Sequence, residues 1–219
     1  MSIAQNLQNI LAELPTEVTL VAVSKTKPVE DILQAYQAGQ RVFGENKVQE
    51  MTDKYEQLPK DIQWHMIGHL QTNKVKYLIP YVSLIHGVDS LKLLQEINRQ
   101  AERFDKKINC LIQVYIAQEE TKFGFDAAEI EHLLQSETFK SFQNVQVSGF
   151  MGMATFTDDQ SQIKAEFTAL KNIFDQYKNL ILPNFKAEIL SMGMSGDYAL
   201  AVECGSNMVR IGSSIFGSR

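Results

Sequence analysis

Residues 18–28 read VTLVAVSKTKP, and their opening six set the fold class. VTLVAV is short, rich in β-branched residues and free of polar alternation, which predicts a parallel strand covered on both faces. Pro28 and Gly39 bracket a segment in which Ile32, Leu33 and Tyr36 share one side, so the spacing predicts a helix starting at Pro28 and ending before Gly39. Upstream, Ile3, Leu7, Ile10, Leu11 and Leu14 recur at three-and-four spacing and predict an extra helix over residues 1–14. Downstream the strand–helix unit repeats. Apolar runs at 41–43, 63–67, 82–88, 109–116, 145–151, 187–192 and 208–211 bring the predicted strands to eight. Between them, Ser90 precedes Leu91, Leu94, Ile97, Ala101 and Phe104; Asp126 and Glu129 form a D-x-x-E capping pattern before Ile130, Leu133 and Leu134; and Ile163, Phe167, Leu170, Phe174 and Tyr177 make a long amphipathic stripe. With no Pro/Ser/Gly-rich linker or charge block, the alternation belongs to one α/β domain, either a doubly wound sheet or a closed (β/α)8 barrel. Eight units favour the barrel, with 41–43 the weakest strand.

The chain has 219 residues, 44% hydrophobic and 21% charged, a composition that excludes disordered and collagen-like classes. Lys and Arg total 21 against 26 Asp and Glu, a net charge of −5, so no global positive field recruits nucleic acid or an anionic membrane. The longest stretch without Asp, Glu, Lys or Arg, residues 141–157, is shorter than the roughly 20 apolar residues of a bilayer crossing and is full of Gln, Asn, Ser and Thr. Residues 1–14 lack the basic flank and apolar block of a signal peptide. Cys110 and Cys204, far apart and in unrelated contexts, support neither a disulfide framework nor a zinc knuckle. These features predict a cytoplasmic protein.

In parallel α/β folds ligands bind beyond the carboxyl ends of the strands, so the residues after each apolar run carry the chemistry. Lys25 directly continues the first strand, whereas Lys27 leads into the helix. Lys25 reads either as a solvated loop lysine or as an amine desolvated enough to attack a carbonyl and form an imine. After the last strand, Gly212-Ser213-Ser214 opens a short terminal helix whose unpaired N–H groups suit a phosphate. The preceding strand ends in Ser191-Met192-Gly193-Met194-Ser195-Gly196-Asp197, a second Gly/Ser turn beside it.

Six segments, VSKTKP (23–28), FGENKVQE (43–50), WHMIGHLQTNK (64–74), ETKFGF (120–125), SMGMSGDY (191–198) and GSNMVRIGSSIFG (205–217), closely resemble in order the motifs of the pyridoxal 5′-phosphate homeostasis proteins, the YggS/PROSC type. The resemblance implies a single-domain (β/α)8 TIM barrel of the fold-type III class that binds pyridoxal 5′-phosphate (PLP), similar to the N-terminal domain of alanine racemase. The whole chain, 1–219, is then one domain, with the added helix at 1–14 and the barrel with its terminal phosphate-site helix at 18–217. It implies that Lys25 holds PLP as a Schiff base, that Ser195, Gly212 and Ser213 grip the phosphate, that Arg210 faces the pyridine nitrogen, and that Asn46 lies close to the cofactor. No metal is implied. Arginine cannot give up its proton, so such a ring is a weak electron sink. Asn46 has an alternative role as cap of a helix beginning near Glu45, and Arg210 as partner of Asp197 or Glu203.

The resemblance implies a carrier and buffer of PLP that supports vitamin B6 and amino-acid homeostasis, monomeric, without established catalytic activity, and with PLP-dependent apo-enzymes as recipients. The alternative is a PLP-dependent amino-acid racemase of the alanine racemase type, with residual activity. That chemistry needs a second acid/base opposite Lys25, which alanine racemase takes from a further domain; the chain ends soon after Gly217, and none of its seven tyrosines matches that residue. A sugar-phosphate lyase with an imine-forming lysine is the third reading and lacks motif support. His65 and His69 have i, i+4 spacing, but His65 falls on a strand and Gly68 interrupts, so structural roles are expected for them and for His86 and His132. Lys122 is read as a cofactor contact or as a surface lysine beside Glu119 and Glu120. Met151, Met153, Met192 and Met194 are expected to be core, and both cysteines buried and inert.

Overall fold

The computed structural model describes residues 2–117 and 124–217. Nine strands follow in chain order among them: β1 (Thr19–Val23), β2 (Val42–Glu45), β3 (Gln63–Met66), β4 (Val82–Val88), β5 (Ile108–Gln113), β6 (Val145–Met151), β7 (Ile181–Leu182), β8 (Phe185–Met194) and β9 (Met208–Ile211). All but β7 run parallel, each beside its neighbour, and β6 pairs with β8 and β9 with β1 to close the ring. The result is a (β/α)8 barrel. β7 is an antiparallel appendage that turns through Pro183 and Asn184 into β8.

The helices are α1 (Ile3–Glu13), α2 (Val29–Gln37), α3 (Val48–Gln57), α4 (Val75–Leu78), α5 (Leu91–Arg103), α6 (Ala127–Gln135), α7 (Glu137–Lys140), α8 (Gln160–Tyr177), α9 (Tyr198–Glu203) and α10 (Ser213–Phe216). Several begin where their sequence dictates. Ser90 Oγ accepts from Leu93 N at the start of α5, and Asp126 and Glu129 complete a reciprocal capping box on α6. Pro28 is the N-cap of α2, so the helix begins at Val29, one position after the expected start at Pro28.

Strand alternation divides the core. Val21, Leu84, Leu111, Met151 and Met208 fill the barrel interior, while Leu20, Ala22, Phe43 and Trp64 point outward beneath the helices. α1 buries Leu7 and Ile10 and lies against α10, where Asn6 Nδ2 donates to Ile215 O at 3.0 Å. The first helix therefore braces the last. No helix among the described residues is long and apolar enough to cross a membrane.

Candidate functional site

The carboxyl ends of β1, β2, β8 and β9 open on one cavity of about 610 Å³, lined by Lys25, Asn46, Ser195, Arg210, Gly212 and Ser213 among others. All six residues singled out in the sequence meet there.

Lys25 projects from a tight turn in which Lys27 N donates to Ser24 O at 3.0 Å. The next residue, Thr26, has φ 64°, a left-handed conformation that is strained for a β-branched side chain. A buried ionic cluster holds the turn. Lys54 Nζ, from α3, donates to Ser24 O at 2.8 Å, Glu45 Oε1 at 2.7 Å and Glu50 Oε1 at 2.7 Å. Ser24 Oγ donates to the same Glu45 oxygen at 2.7 Å, and Thr26 N donates to Glu50 Oε1 at 2.5 Å. Burial pushes the Glu45 carboxyl above its usual range, outweighing Lys54 and Ser24, and its Oε2 has no partner. Glu50, for which burial is opposed by Lys54 and the Thr26 amide, ends below the usual range.

Arg210 enters from the end of β9 and is 4% exposed. Nη1 donates to Ser191 O at 2.9 Å and Ser191 Oγ at 2.6 Å, and Nη2 donates to Gly152 O at 3.0 Å. A guanidinium has five donors, so Nε–H and one Nη2–H remain for the cavity. Burial lowers its pKa to about 10, with Asp197 opposing, so it remains a cation at neutral pH. It forms no ion pair with Asp197 or Glu203; Asp197 Oδ1 instead accepts from Met194 N at 2.5 Å. Behind Arg210, Ser191 Oγ lies 3.1 Å from His86 Nδ1, and His86 Nε2 lies 3.0 Å from His65 Nδ1.

The last two strands join at their exits, where Gly212 N donates to Ser195 Oγ at 3.1 Å. A Cβ on Gly212 would lie 3.1 Å from Val23 O, a tight contact that would push β9 and β1 apart by a few tenths of an ångström at this point. Beyond it the amides of Ser213 and Ser214 start α10 without an intrahelical acceptor. Lys27 lines the same cavity and donates from Nζ to Phe216 O at 3.1 Å. The groups present fit a flat aromatic aldehyde with an anionic tail: an amine on one side, donor-only nitrogens for a ring acceptor, and amides with hydroxyls for the anion.

Asn46 lines the cavity but does not cap a helix, because β2 runs to Glu45 and α3 starts at Val48 with Lys47 as its N-cap. His65 and His69 do not converge: His65 is buried against His86, and exposed His69 pairs with Asp89 at 3.1 Å. His86 is buried, as expected of a structural histidine, but not isolated, since its ring lies between Ser191 and His65. Met151 and Met192 are core, as expected, whereas Met153 and Met194 line the cavity. Cys110 is buried, with a thiol pushed up by desolvation, but Cys204 is partly exposed. Lys122, with Glu119 and Glu120, lies outside the described residues. Sequence reading missed the Glu45–Glu50–Lys54 cluster and the Ser191–His86–His65 chain. The i, i+4 pair Glu50 and Lys54 was the available signal for the first.

A closed barrel with a lysine after its first strand, an arginine on its last and a Gly-Ser turn beyond that arginine defines a class, and the family model described as "Alanine racemase, N-terminal domain" matches residues 1–219. The chain is 40% identical to the "Pyridoxal phosphate homeostasis protein" of Pasteurella multocida (strain Pm70), over 99% of this chain and 94% of that one. It thus belongs to the pyridoxal phosphate homeostasis protein family. The structure of PipY from Synechococcus elongatus PCC7942 with PLP bound superposes with TM-score 0.90 at 34% identity, covering 99% of this chain and 100% of that one. An alanine racemase from E. faecalis shares the fold, with TM-score 0.76 and 17% identity over 99% of this chain and 58% of the racemase.

Proposed function

We propose that this protein binds PLP through the single domain 1–219, carries and buffers it in the cytoplasm, and yields it to PLP-dependent apo-enzymes. The observation that carries this reading is the meeting of two features in one cavity: the locked, amine-bearing turn after β1 and the buried arginine on β9. PLP supplies an aldehyde that reacts reversibly with an amine, and the amine assigned to it is Lys25. Ser195, Gly212 and Ser213 bind the phosphate through main-chain N–H groups and hydroxyls. Arg210 donates toward the pyridine nitrogen and keeps its charge at neutral pH, so that nitrogen stays an unprotonated acceptor. Asn46 lies at the edge of the same cavity, and no metal is needed.

Carrying is favoured over racemisation by the lining. Among its described residues there is no tyrosine or histidine to act as a second acid/base opposite Lys25. Adding PLP to the protein, reducing with borohydride and mapping peptides tests the assignment. The expected result is a new absorption band above the free-cofactor background and a reduced adduct on the peptide containing Lys25. A colourless, unmodified protein overturns the reading, and an adduct confined to Lys27 or another lysine overturns the assignment of Lys25.

A further inference from the structure

The polar chain behind Arg210 has a direction. Arginine offers donors only, so the arrangement of protons along the chain follows from that end. Ser191 Oγ accepts from Arg210 Nη1 at 2.6 Å, which leaves its single hydroxyl proton for His86 Nδ1 at 3.1 Å. His86 Nδ1 is then an acceptor, and the proton of the neutral ring resides on Nε2, from which it is donated to His65 Nδ1 at 3.0 Å. By the same step His65 carries its proton on Nε2. His65 lines a second cavity, of about 630 Å³, among Gln63, Asn109 and Gln146 at the opposite end of the barrel. Ser191 and His86 are fully buried, and His65 is 5% exposed. Desolvation holds His65 near a pKa of about 3 and, together with the nearby His65 and Arg210, keeps His86 well below its usual value.

We propose that Ser191, His86 and His65 are positioning residues for Arg210: they fix its unused N–H groups toward the cavity and are themselves locked as a one-way chain of neutral Nε2–H imidazoles ending at the far side of the barrel. The proposal rests on the PLP reading only for what Arg210 meets; the pattern of protons belongs to the ligand-free protein.

Two measurements test it. Long-range 1H–15N spectra of ligand-free protein carrying 15N-histidine, assigned with His65→Gln and His86→Gln, are expected to show both rings as neutral Nε2–H tautomers from about pH 6 to about pH 8. An Nδ1–H tautomer or an imidazolium at either ring overturns the proposal. In the second, PLP is loaded into the parent, Ser191→Ala and Ser191→Thr. Loss of a hydroxyl bonded to a charged group is expected to speed PLP release about tenfold and to displace the bound absorption band in the Ala variant. The Thr variant, which keeps the hydroxyl, is expected to stay within about twofold of the parent. Identical bands and release rates in all three overturn the positioning role. A parent that takes up no PLP overturns the PLP reading instead, and the tautomer spectra then decide the chain alone.

Discussion

Thr26 carries a cost that its neighbours offset. A left-handed φ on a β-branched residue costs on the order of 1–3 kcal/mol, and here it follows directly on Lys25, in a turn held by Glu50, Lys54 and Ser24. Lys54 is the centre of that hold and the only cation paired with Glu45 among the described residues. Lys54→Met is expected to lower stability by about 3–5 kcal/mol, because it strands a fully buried carboxylate, and to weaken PLP retention as the turn loosens. Urea unfolding and release of bound PLP measure the two effects; a loss of less than about 1 kcal/mol would remove the cluster from the account of the site. Glu50→Gln keeps an acceptor for Thr26 N and is expected to cost about 1–2 kcal/mol. The placement of Lys25 at the cavity was legible in the sequence because a lysine directly continues a buried strand. Its lock was not, because a Glu–Lys pair on an amphipathic helix reads as a solvated face. Only the fold shows that this face of α3 turns inward beneath Ser24.

At the scale of elements, the second strand is where reading and structure part. The run at 41–43 stops short because Gly44 and Glu45 look like loop residues, yet both lie in β2, buried and paired with β3. That extension moves the start of the following helix to Val48 and frees Asn46 from a capping role. β7 went unread because two residues carry no periodicity. The alternating strands and the longer capped helices were legible, since each combines an apolar repeat with a start signal. Gly149 shows how tightly one strand pair is built. Its φ is 148°, the pairing of β6 with β8 shifts register there, and a Cβ would fall 1.9 Å from Ile189 O. Gly149→Ala is therefore expected to cost about 3 kcal/mol or more, read by chemical denaturation. Because β6 leads into Gly152, whose carbonyl accepts from Arg210, the same change should also weaken PLP retention.

For the molecule as a whole, the buried imidazoles make folding sensitive to acid. Both histidines have pKa values below the 6.5 of the unfolded chain, His65 near about 3. The unfolded state therefore binds more protons as pH falls below 6.5, so the stability these rings contribute is complete above that pH and is lost on acidification. Each ring contributes a slope of about 1.4 kcal/mol per pH unit. Glu45 and Asp197, both raised by burial, act in the opposite sense, but Glu50 and Glu96, held below their usual range, act with the two imidazoles and leave the net slope downward. Urea unfolding at a series of pH values is expected to show this fall beginning near 6.5, and a flat profile down to about pH 5 would contradict it. The overall barrel was legible from alternation alone, whereas its polar interior was not, since periodicity reports which residues are apolar and not which polar ones are enclosed. One closure has a consequence in time. β9 pairs with β1, and Gly212 rests on Val23, close to where Lys25, the lysine proposed to meet PLP, leaves the strand. Translation delivers Lys25 well before Arg210 and Gly212, so a nascent polypeptide at that stage bears the proposed nucleophile without the residues proposed to grip the ligand. Vitamin capture then clocks completion of the ring, and a ligand recognising only the finished form pulls the final docking step forward by mass action.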